Sequence, residues 1–456
     1  MGTAQLIPIR DEAGTVLFAP VSQFRAWVQN RSFPTKIRYG QKVIPLSIQP
    51  HPDQEEYYMM TKGLYHQLGL LKKQSHHIIE GDQEIQIGPV VGIYTAGFTS
   101  NQHHPFGDRT KMFAKMLKAA RRTGVTCYVF GSHHIDWDRK SISGYVYDDS
   151  GWKRHDFPFP AIVYDRLPNR RIERLALSVE TKSKLQAENV IWFNPGFFDK
   201  GTIHEMLKTD PSVKHYLPMT IQSPGMDELE TLLKRYQSIY LKPKDGSLGN
   251  GIQQIIKRRN DPYYYIRFRK EDTNRLRRYS SLKRLIRKQF PAGLEDYLAQ
   301  QGIQLLSWNG DPIDFRVHTN RNREGEWEVS ALAAKLAGSN SITTHITSGG
   351  KTLSLSELIH DLGKSSTMVL QLKEAAIKIS KALTGQMEGI IGEIGFDLGV
   401  DEQGDIWMFE ANAKPGRSIF SNPNLNAYDK KTVIMPFEFC LYLFENIVQR
   451  QVPMKQ

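Results

Sequence analysis

Asp397, Glu410 and Asn412 lie close together near the end of the chain, in a pattern that could hold a hard cation. They fall in Gly392-Glu393-Ile394-Gly395-Phe396-Asp397-Leu398-Gly399-Val400 and Ile406-Trp407-Met408-Phe409-Glu410-Ala411-Asn412, on either side of the turn Asp401-Glu402-Gln403-Gly404-Asp405. Two apolar runs around a polar turn read as a β-hairpin. Period-2 geometry puts Glu410 and Asn412 on one face and Trp407, Phe409 and Ala411 on the other. Pairing Val400 opposite Asp405 sets Asp397 against Met408 and on the face of Glu410. Oxygen ligands on adjacent strands suit Mg²⁺ shared with phosphates. A solvated hairpin face would explain one acidic residue, but it fits poorly where polar positions recur in phase within apolar flanks.

A second cluster is built to approach an anion. Tyr240-Leu241-Lys242-Pro243-Lys244-Asp245-Gly246-Ser247-Leu248-Gly249-Asn250-Gly251-Ile252 ends a strand on Lys242 and follows it with a glycine-rich loop. Gly246, Gly249 and Gly251 let backbone N–H groups come near phosphate oxygens without an obstructing Cβ, with Ser247 and Asn250 between them. Ile252-Gln253 follows where a Walker loop needs Lys-Ser/Thr. The glycine order is also reversed from the dinucleotide fingerprint, and no helix pattern follows.

The surrounding elements can be read coarsely. Residues 1–88 show short β segments (Thr15–Phe18, Lys42–Ile48, Glu84–Ile87) broken by Pro and Gly, and read as a small β-rich unit. Val90–Tyr94 is a buried-strand run, Lys111–Ala120 has helical spacing, and Cys127–Phe130 starts another strand, which together predict a parallel βαβ unit within 89–195. Ala161–Tyr164 predicts one more strand. Over 196–456 the texture turns to α+β: a charged helix from Met226 to Lys234, the strand Ser238–Leu241, a helix from Ser366 to Thr384, and the hairpin.

Composition bounds the function. The 456 residues are 40% hydrophobic and 24% charged, which excludes wholesale disorder, and no run approaches a membrane span. The N-terminus lacks a basic region followed by a long apolar one, so cytoplasmic synthesis without a signal peptide is expected. Two cysteines, Cys127 and Cys440, are too few for a disulfide framework. The net charge of +12 is local: Lys257–Lys288 holds 13 Lys/Arg against Asp261, Glu271 and Asp272, or +10. Tyr263, Tyr264, Tyr265, Phe268 and Tyr279 are interleaved there. A solvated surface with general anion affinity ranks first for it, an acidic substrate or partner second, and nucleic acid last. The adjacent pairs His76-His77, His103-His104 and His133-His134 read as surface or structural residues, because neighbours on a strand point apart.

The lysine-ended strand with its glycine loop, followed later by Asp … Glu-x-Asn-x-x-Pro-Gly, resembles the ATP-grasp superfamily. Phe193-Asn194-Pro195, Asp199-Lys200, Leu217-Pro218-Met219-Thr220, Gln301-Gly302-Ile303, Asp314-Phe315-Arg316 and Ser348-Gly349-Gly350 narrow the likeness to the YheC/YheD-type proteins, described as endospore coat-associated. The resemblance runs from residue 88 onward. It implies an α/β pre-ATP-grasp domain at 89–195 and a two-subdomain ATP-grasp domain at 196–456, with nucleotide bound between the subdomains.

By the same resemblance, Lys200 and Lys242 are phosphate lysines, and Gly246, Ser247, Gly249, Asn250 and Gly251 form a flap over the phosphates. Gln301 and Ile303 belong to the hinge that reads adenine, and Arg316 neutralises the transferring phosphate. Asp397, Glu410 and Asn412 hold Mg²⁺. Lys335 stands where relatives usually carry Arg, so its point charge orients an acyl phosphate without a bidentate fork, and His345 stands where they usually carry Asn. The implied function is an ATP-dependent carboxylate–amine ligase acting on an unidentified carboxylate and amine, associated with the spore coat. The alternative is a non-catalytic, nucleotide-binding coat component. ATP is the nucleotide, coat proteins are candidate partners, and no membrane is involved.

Overall fold

The computed structural model describes residues 3–5, 7–9, 14–53, 55–71, 74–245, 251–270, 273–337, 350–354 and 366–448. Five sheets organise them. Two small sheets form the first part. One joins Lys36–Tyr39 to Glu84–Gly88 in parallel, and the other joins Val16–Ala19 to Ser47–Pro50. Two helices, Val21–Asn30 and Lys62–Leu68, cover them where the sequence reading expected only strands and loops. Trp27 of the first helix is buried in the shared core, with Phe24 partly buried against it.

The middle sheet bears out the βαβ expectation. Val90–Tyr94 pairs in parallel with Thr126–Phe130 on one side and with Ile162–Asp165 on the other, and Ile191–Phe193 extends the sheet. The crossover helix Thr110–Arg122 buries Phe113, Met116 and Ala120. The C-terminal helix Asn426–Leu443 returns to this sheet, placing Phe437, Cys440, Leu441 and Leu443 in one core with Phe113 and Ile93. Cys127 and Cys440 are both buried and free.

Two further sheets face each other across a cleft. The first orders Thr220–Gln222, Tyr297–Gln301, Ser238–Pro243, Gln253–Ile256, Tyr264–Lys270 and Thr273–Tyr279. Helix Met226–Tyr236 buries Leu229, Leu232 and Leu233 against it. The second sheet centres on the long strand Asp311–Arg321, flanked by Trp327–Leu336 and Glu393–Val400, with Ile406–Asn412 beyond.

Helix Ser366–Gln386 packs on the back of this second sheet. Leu372, Ala375, Ala376 and Ile379 meet Phe315, Val317, Ile394, Phe396 and Leu398, and Thr319 Oγ1 lies 2.8 Å from Ser380 Oγ. The alternate positions Asp314, Arg316, His318, Glu393, Gly395 and Asp397 therefore face away from the helix, toward the cleft side. Both faces of these strands are largely buried, so their polar positions are not a solvent-facing alternation. Among the described residues no helix is long and apolar enough to cross a membrane.

Candidate active site

A cavity of about 300 Å³ opens between the two facing sheets. Lys242, Tyr240, Gln254, Arg267, Gln300 and Gln301 reach it from the first sheet, and Asp314, Lys335, Asp397, Phe409 and Glu410 from the second. Lys200 enters at the start of helix Lys200–Lys208, where Asp199 caps the helix by accepting from Thr202 N at 2.8 Å. Ile303 and Gln304 complete the lining where the chain leaves Tyr297–Gln301 for the second sheet.

The hairpin register differs from the sequence expectation. Val400 pairs with Ile406, not Asp405, and Leu398 pairs with Met408. A bulge then skips Phe409, so Asp397 stands directly opposite Glu410 rather than opposite Met408. The extra residue shifts the local alternation, and Phe409 and Glu410 both reach the cavity although strict period 2 would separate them. Asn412 is not among the lining residues, and its backbone pairs opposite Gly395.

Lysines and carboxylates interlock across the cavity. Lys200 Nζ lies 3.6 Å from Glu410 Oε1. Lys335 Nζ lies 2.9 Å from Asp397 Oδ1 and 3.0 Å from Asp314 Oδ1, with all three side chains buried. Burial alone would lower the Lys335 pKa, but Asp314 and Asp397 outweigh it and hold the ammonium above its ordinary value. Arg316 reaches Asp397 through Nε at 3.3 Å, although it does not line the cavity itself.

Lys242 is different. Its ammonium donates to Gln300 Oε1 and lies 5.6 Å from the Phe409 ring centroid. Burial, then the charge of Lys200, pushes its pKa down to about 8, despite opposing pulls from Glu410, Asp397 and Asp314. A lysine in that position gains strongly from an arriving polyanion. Lys244, two residues on, points outward and donates to Ser223 Oγ at 2.8 Å on the surface.

Gly251 is the described glycine of the loop, at φ +76°, where a Cβ would come within 2.8 Å of Pro243 Cγ. Gly246, Ser247, Gly249, Asn250 and His345 lie outside the described residues. Polar lining residues to which the sequence reading gave no role include Tyr240, Gln254, Arg267, Gln300 and Asp314. Asp314 was within reach of pattern reasoning, being two residues before Arg316 on one strand face. Arg267 was hidden in the basic stretch, whose edge strand Thr273–Tyr279 is largely exposed.

The donor set fits a magnesium ion of limited protein coordination. Asp397 and Glu410 offer hard oxygens from adjacent strands beside two lysines suited to phosphate. Mg²⁺ typically takes one or two carboxylates and fills its remaining positions with phosphate and water. Among the described residues no group of three or more His, Cys, Asp or Glu is arranged for a metal, so a protein-only cage is not what these residues build.

A family model described as YheC/D like ATP-grasp matches residues 189–443. Endospore coat-associated protein YheD of Bacillus subtilis (strain 168) is 38% identical over 450 residues, covering 97% of this chain and 97% of that protein. Endospore coat-associated protein YheC of the same organism is 23% identical over 368 residues, 78% of this chain and 98% of that protein. Among solved structures, the VanG D-Ala:D-Ser ligase of Enterococcus faecalis superposes with a TM-score of 0.47 at 12% identity, over 78% of this chain and 99% of that one. The D-alanine–D-alanine ligase of Bacillus anthracis gives a TM-score of 0.45 at 11% identity, over 78% and 99% of the two chains.

Proposed function

The chain belongs to the YheC/D-like ATP-grasp family, and on that premise we propose that it is an ATP-dependent carboxylate–amine ligase associated with the spore coat. One observation carries the reading: Lys200 and Lys242 meet Asp397 and Glu410 in a single cavity between two sheets. Polyphosphate needs cations on its oxygens, and phosphoryl transfer needs positioning and charge neutralisation more than covalent chemistry.

In this reading Lys200 and Lys242 hold the phosphates, and Gln301 and Ile303 border the adenine. Asp397 and Glu410 would hold Mg²⁺, with Asn412 one alternate position further along the strand. When bound, the ion offsets charge on the phosphate oxygens. Arg316, tied to Asp397, offsets charge on the group being transferred, and Lys335 orients the carboxylate that receives it. The γ-phosphoryl of ATP passes to a substrate carboxylate oxygen, and ADP is the leaving group. An amine then attacks the acyl carbon, phosphate leaves, and an amide bond remains.

A second reading has a specific observation behind it. Lys335 bridges Asp314 and Asp397, supplying internally the positive charge that a metal would bring. A coat component that binds nucleotide without turnover would tolerate that arrangement. The two are separated by ADP release with Mg-ATP and pools of amino acids, peptides and coat extract, compared with an Asp397→Asn variant. Release that depends on a pool and is lost in the variant supports the ligase. Tight ATP binding with no release from any pool favours the structural component.

A further inference from the structure

The basic stretch of the chain folds as the outer edge of the first cleft sheet. Thr273–Tyr279 is the last strand in the order of that sheet, and Tyr264–Lys270 is its one pairing partner among the described residues. Its other side therefore presents backbone N–H and C=O groups on which a further strand can add. Thr273 through Arg278 are all exposed. Arg275 and Arg277 stand opposite the core residues Phe268 and Ile266, whereas Leu276, 62% exposed, stands opposite Arg267 on the cleft side. The edge thus alternates basic on one face with apolar on the other.

Charge around this edge is of one sign. Helix Leu282–Gln289 packs against both strands of the hairpin, burying Leu282 and Leu285 and exposing Lys283, Arg284, Arg287 and Lys288. The net +10 of Lys257–Lys288 already counts Asp261, Glu271 and Asp272. Helix Met226–Tyr236 and the segment 290–297 bring Asp227, Glu228, Glu230, Glu295 and Asp296 against Lys234 and Arg235, and the whole neighbourhood still carries +7.

Charged edge strands commonly guard against association. That role explains why a second copy of this edge is kept away, since its arginines would meet like charge. It does not explain the exposed Leu276 between them, or the continuation of the charge onto the helix. The aromatic residues are not laid out for bases either. Phe268 is buried, and Tyr264 and Tyr279 partly buried, in a core with Leu282 and Leu285. The Tyr265 hydroxyl donates to Asp261 Oδ2 at 2.8 Å, and the Arg278 guanidinium lies 4.3 Å from the Tyr263 ring centroid. Single-stranded nucleic acid would need such rings as a stacking platform.

We propose that the edge Thr273–Tyr279 is a docking site for an acidic segment of a partner protein, added as an extended strand with acidic side chains beside Arg275 and Arg277 and an apolar one against Leu276. In this mode main-chain pairing supplies affinity, and the alternate side chains select the partner. The site is independent of the ligase reading and stands or falls without it. Arg267, which lines the cavity between the sheets, is opposite Leu276, so a docked segment lies with one strand between it and the cavity wall.

The test titrates the full chain into a fluorescent peptide of alternating glutamate and valine, matched to the seven residues of Thr273–Tyr279 and read by anisotropy. Saturable binding is expected, and none by the lysine–valine counterpart. The double variant Arg275→Ser/Arg277→Ser should bind ~10-fold more weakly, the loss of two surface charge contacts. Lys283→Ser/Arg287→Ser, which removes the same charge from the helix, should cost less. Arg277 also covers the Phe268 ring at 5.0 Å, so Leu276→Ser, which keeps both arginines, is a further variant and should weaken binding too. Hydrogen exchange along Thr273–Tyr279 should slow on binding, with Thr220–Gln222, at the opposite edge of the sheet, unchanged. No peptide binding, equal losses in the two double variants, wild-type affinity in Leu276→Ser, or no slowing along Thr273–Tyr279 would each overturn the docking site. An oligouridylate of equal charge that binds more tightly and displaces the peptide would overturn it in favour of nucleic acid.

Discussion

Asp397 stands directly opposite Glu410 on adjacent antiparallel strands because Phe409 is extruded as a β-bulge between Met408 and Glu410. Were Phe409 paired in regular register instead of bulged, Asp397 would oppose it, and one of the two carboxylates would turn toward the helix-covered back of the sheet. The bulge also brings the Phe409 ring to 5.6 Å from Lys242, so a single irregularity sets both the facing carboxylates and one wall of the cavity beside Lys242. Bulges commonly re-aim side chains next to active sites.

Lys335 is a structural keystone before it is anything else. Replacing it with Met removes the ammonium that bridges the buried Asp314 and Asp397, with Arg316 still beside Asp397, and should cost about 3 kcal/mol of unfolding free energy at pH 7 in urea titrations. The lysine's folded pKa lies above its ordinary 10.5, so its stabilisation is complete at pH 7 and disappears only as pH climbs through the folded value. Millimolar Mg²⁺ should restore part of the loss by taking the ammonium's place. A Lys335→Met protein as stable as the wild type would refute the bridge.

Nucleotide affinity should carry the signature of Lys242. Bound phosphates favour the charged form, and in the free protein that form is lost above about pH 8. ADP affinity should therefore be highest below pH 8 and fall by up to ~10-fold per unit above it. Lys242→Arg, which stays charged, should flatten the profile. Lys244→Ala should leave it unchanged, because Lys244 faces Ser223 on the surface. Equal, small losses for Lys242→Ala and Lys244→Ala would mean that the strand end is not the phosphate cradle.

Mg-ATP should stabilise the fold, since its partners come from both sheets and from helix Lys200–Lys208 and meet only in the native state. At a hundredfold excess over Kd the gain is ~2.7 kcal/mol, readable as a thermal shift that EDTA diminishes. The absence of a shift with ATP and GTP alike would remove the nucleotide from this site.

Much of this was legible in the sequence, for identifiable reasons. The parallel middle sheet showed in the run Val90–Tyr94 and in the apolar spacing of the helix that follows, and the helix expected over Ser366–Thr384 spans Ser366–Gln386. The helix Val21–Asn30 was missed although Phe24, Trp27 and Val28 sit at helical spacing after Pro20, a start signal outweighed by the β segments around it. The bulge at Phe409 has no residue signature, so the hairpin register came out wrong while the shared face of Asp397 and Glu410 came out right. Asp314 stood in the same segment as Arg316 and on the same strand face, yet was given no role of its own. The Arg166–Glu393–Arg417 network joins strands far apart in the chain, and no local pattern marks it.

Glu410→Gln separates metal binding from nucleotide binding. The substitution removes one anionic oxygen opposite Asp397 but keeps the side chain's shape and its place near Lys200. Nucleotide affinity should fall only modestly, because Lys200 and Lys242 still hold the phosphates. Phosphoryl transfer should fall ~10²–10³-fold, the usual cost of losing one charge-stabilising group. The control needs an exposed carboxylate on the same hairpin. Glu402 does not serve, since its Oε1 accepts from Gln304 Nε2 at 3.0 Å and Gln304 lines the cavity. Asp405, exposed at the turn, does, and Asp405→Asn should change neither quantity. Slow ATP hydrolysis can be followed without the true acceptor, so the comparison does not wait on its identity. If wild type and Glu410→Gln hydrolyse ATP at similar rates with the same Mg²⁺ dependence, the carboxylate pair is not the metal site.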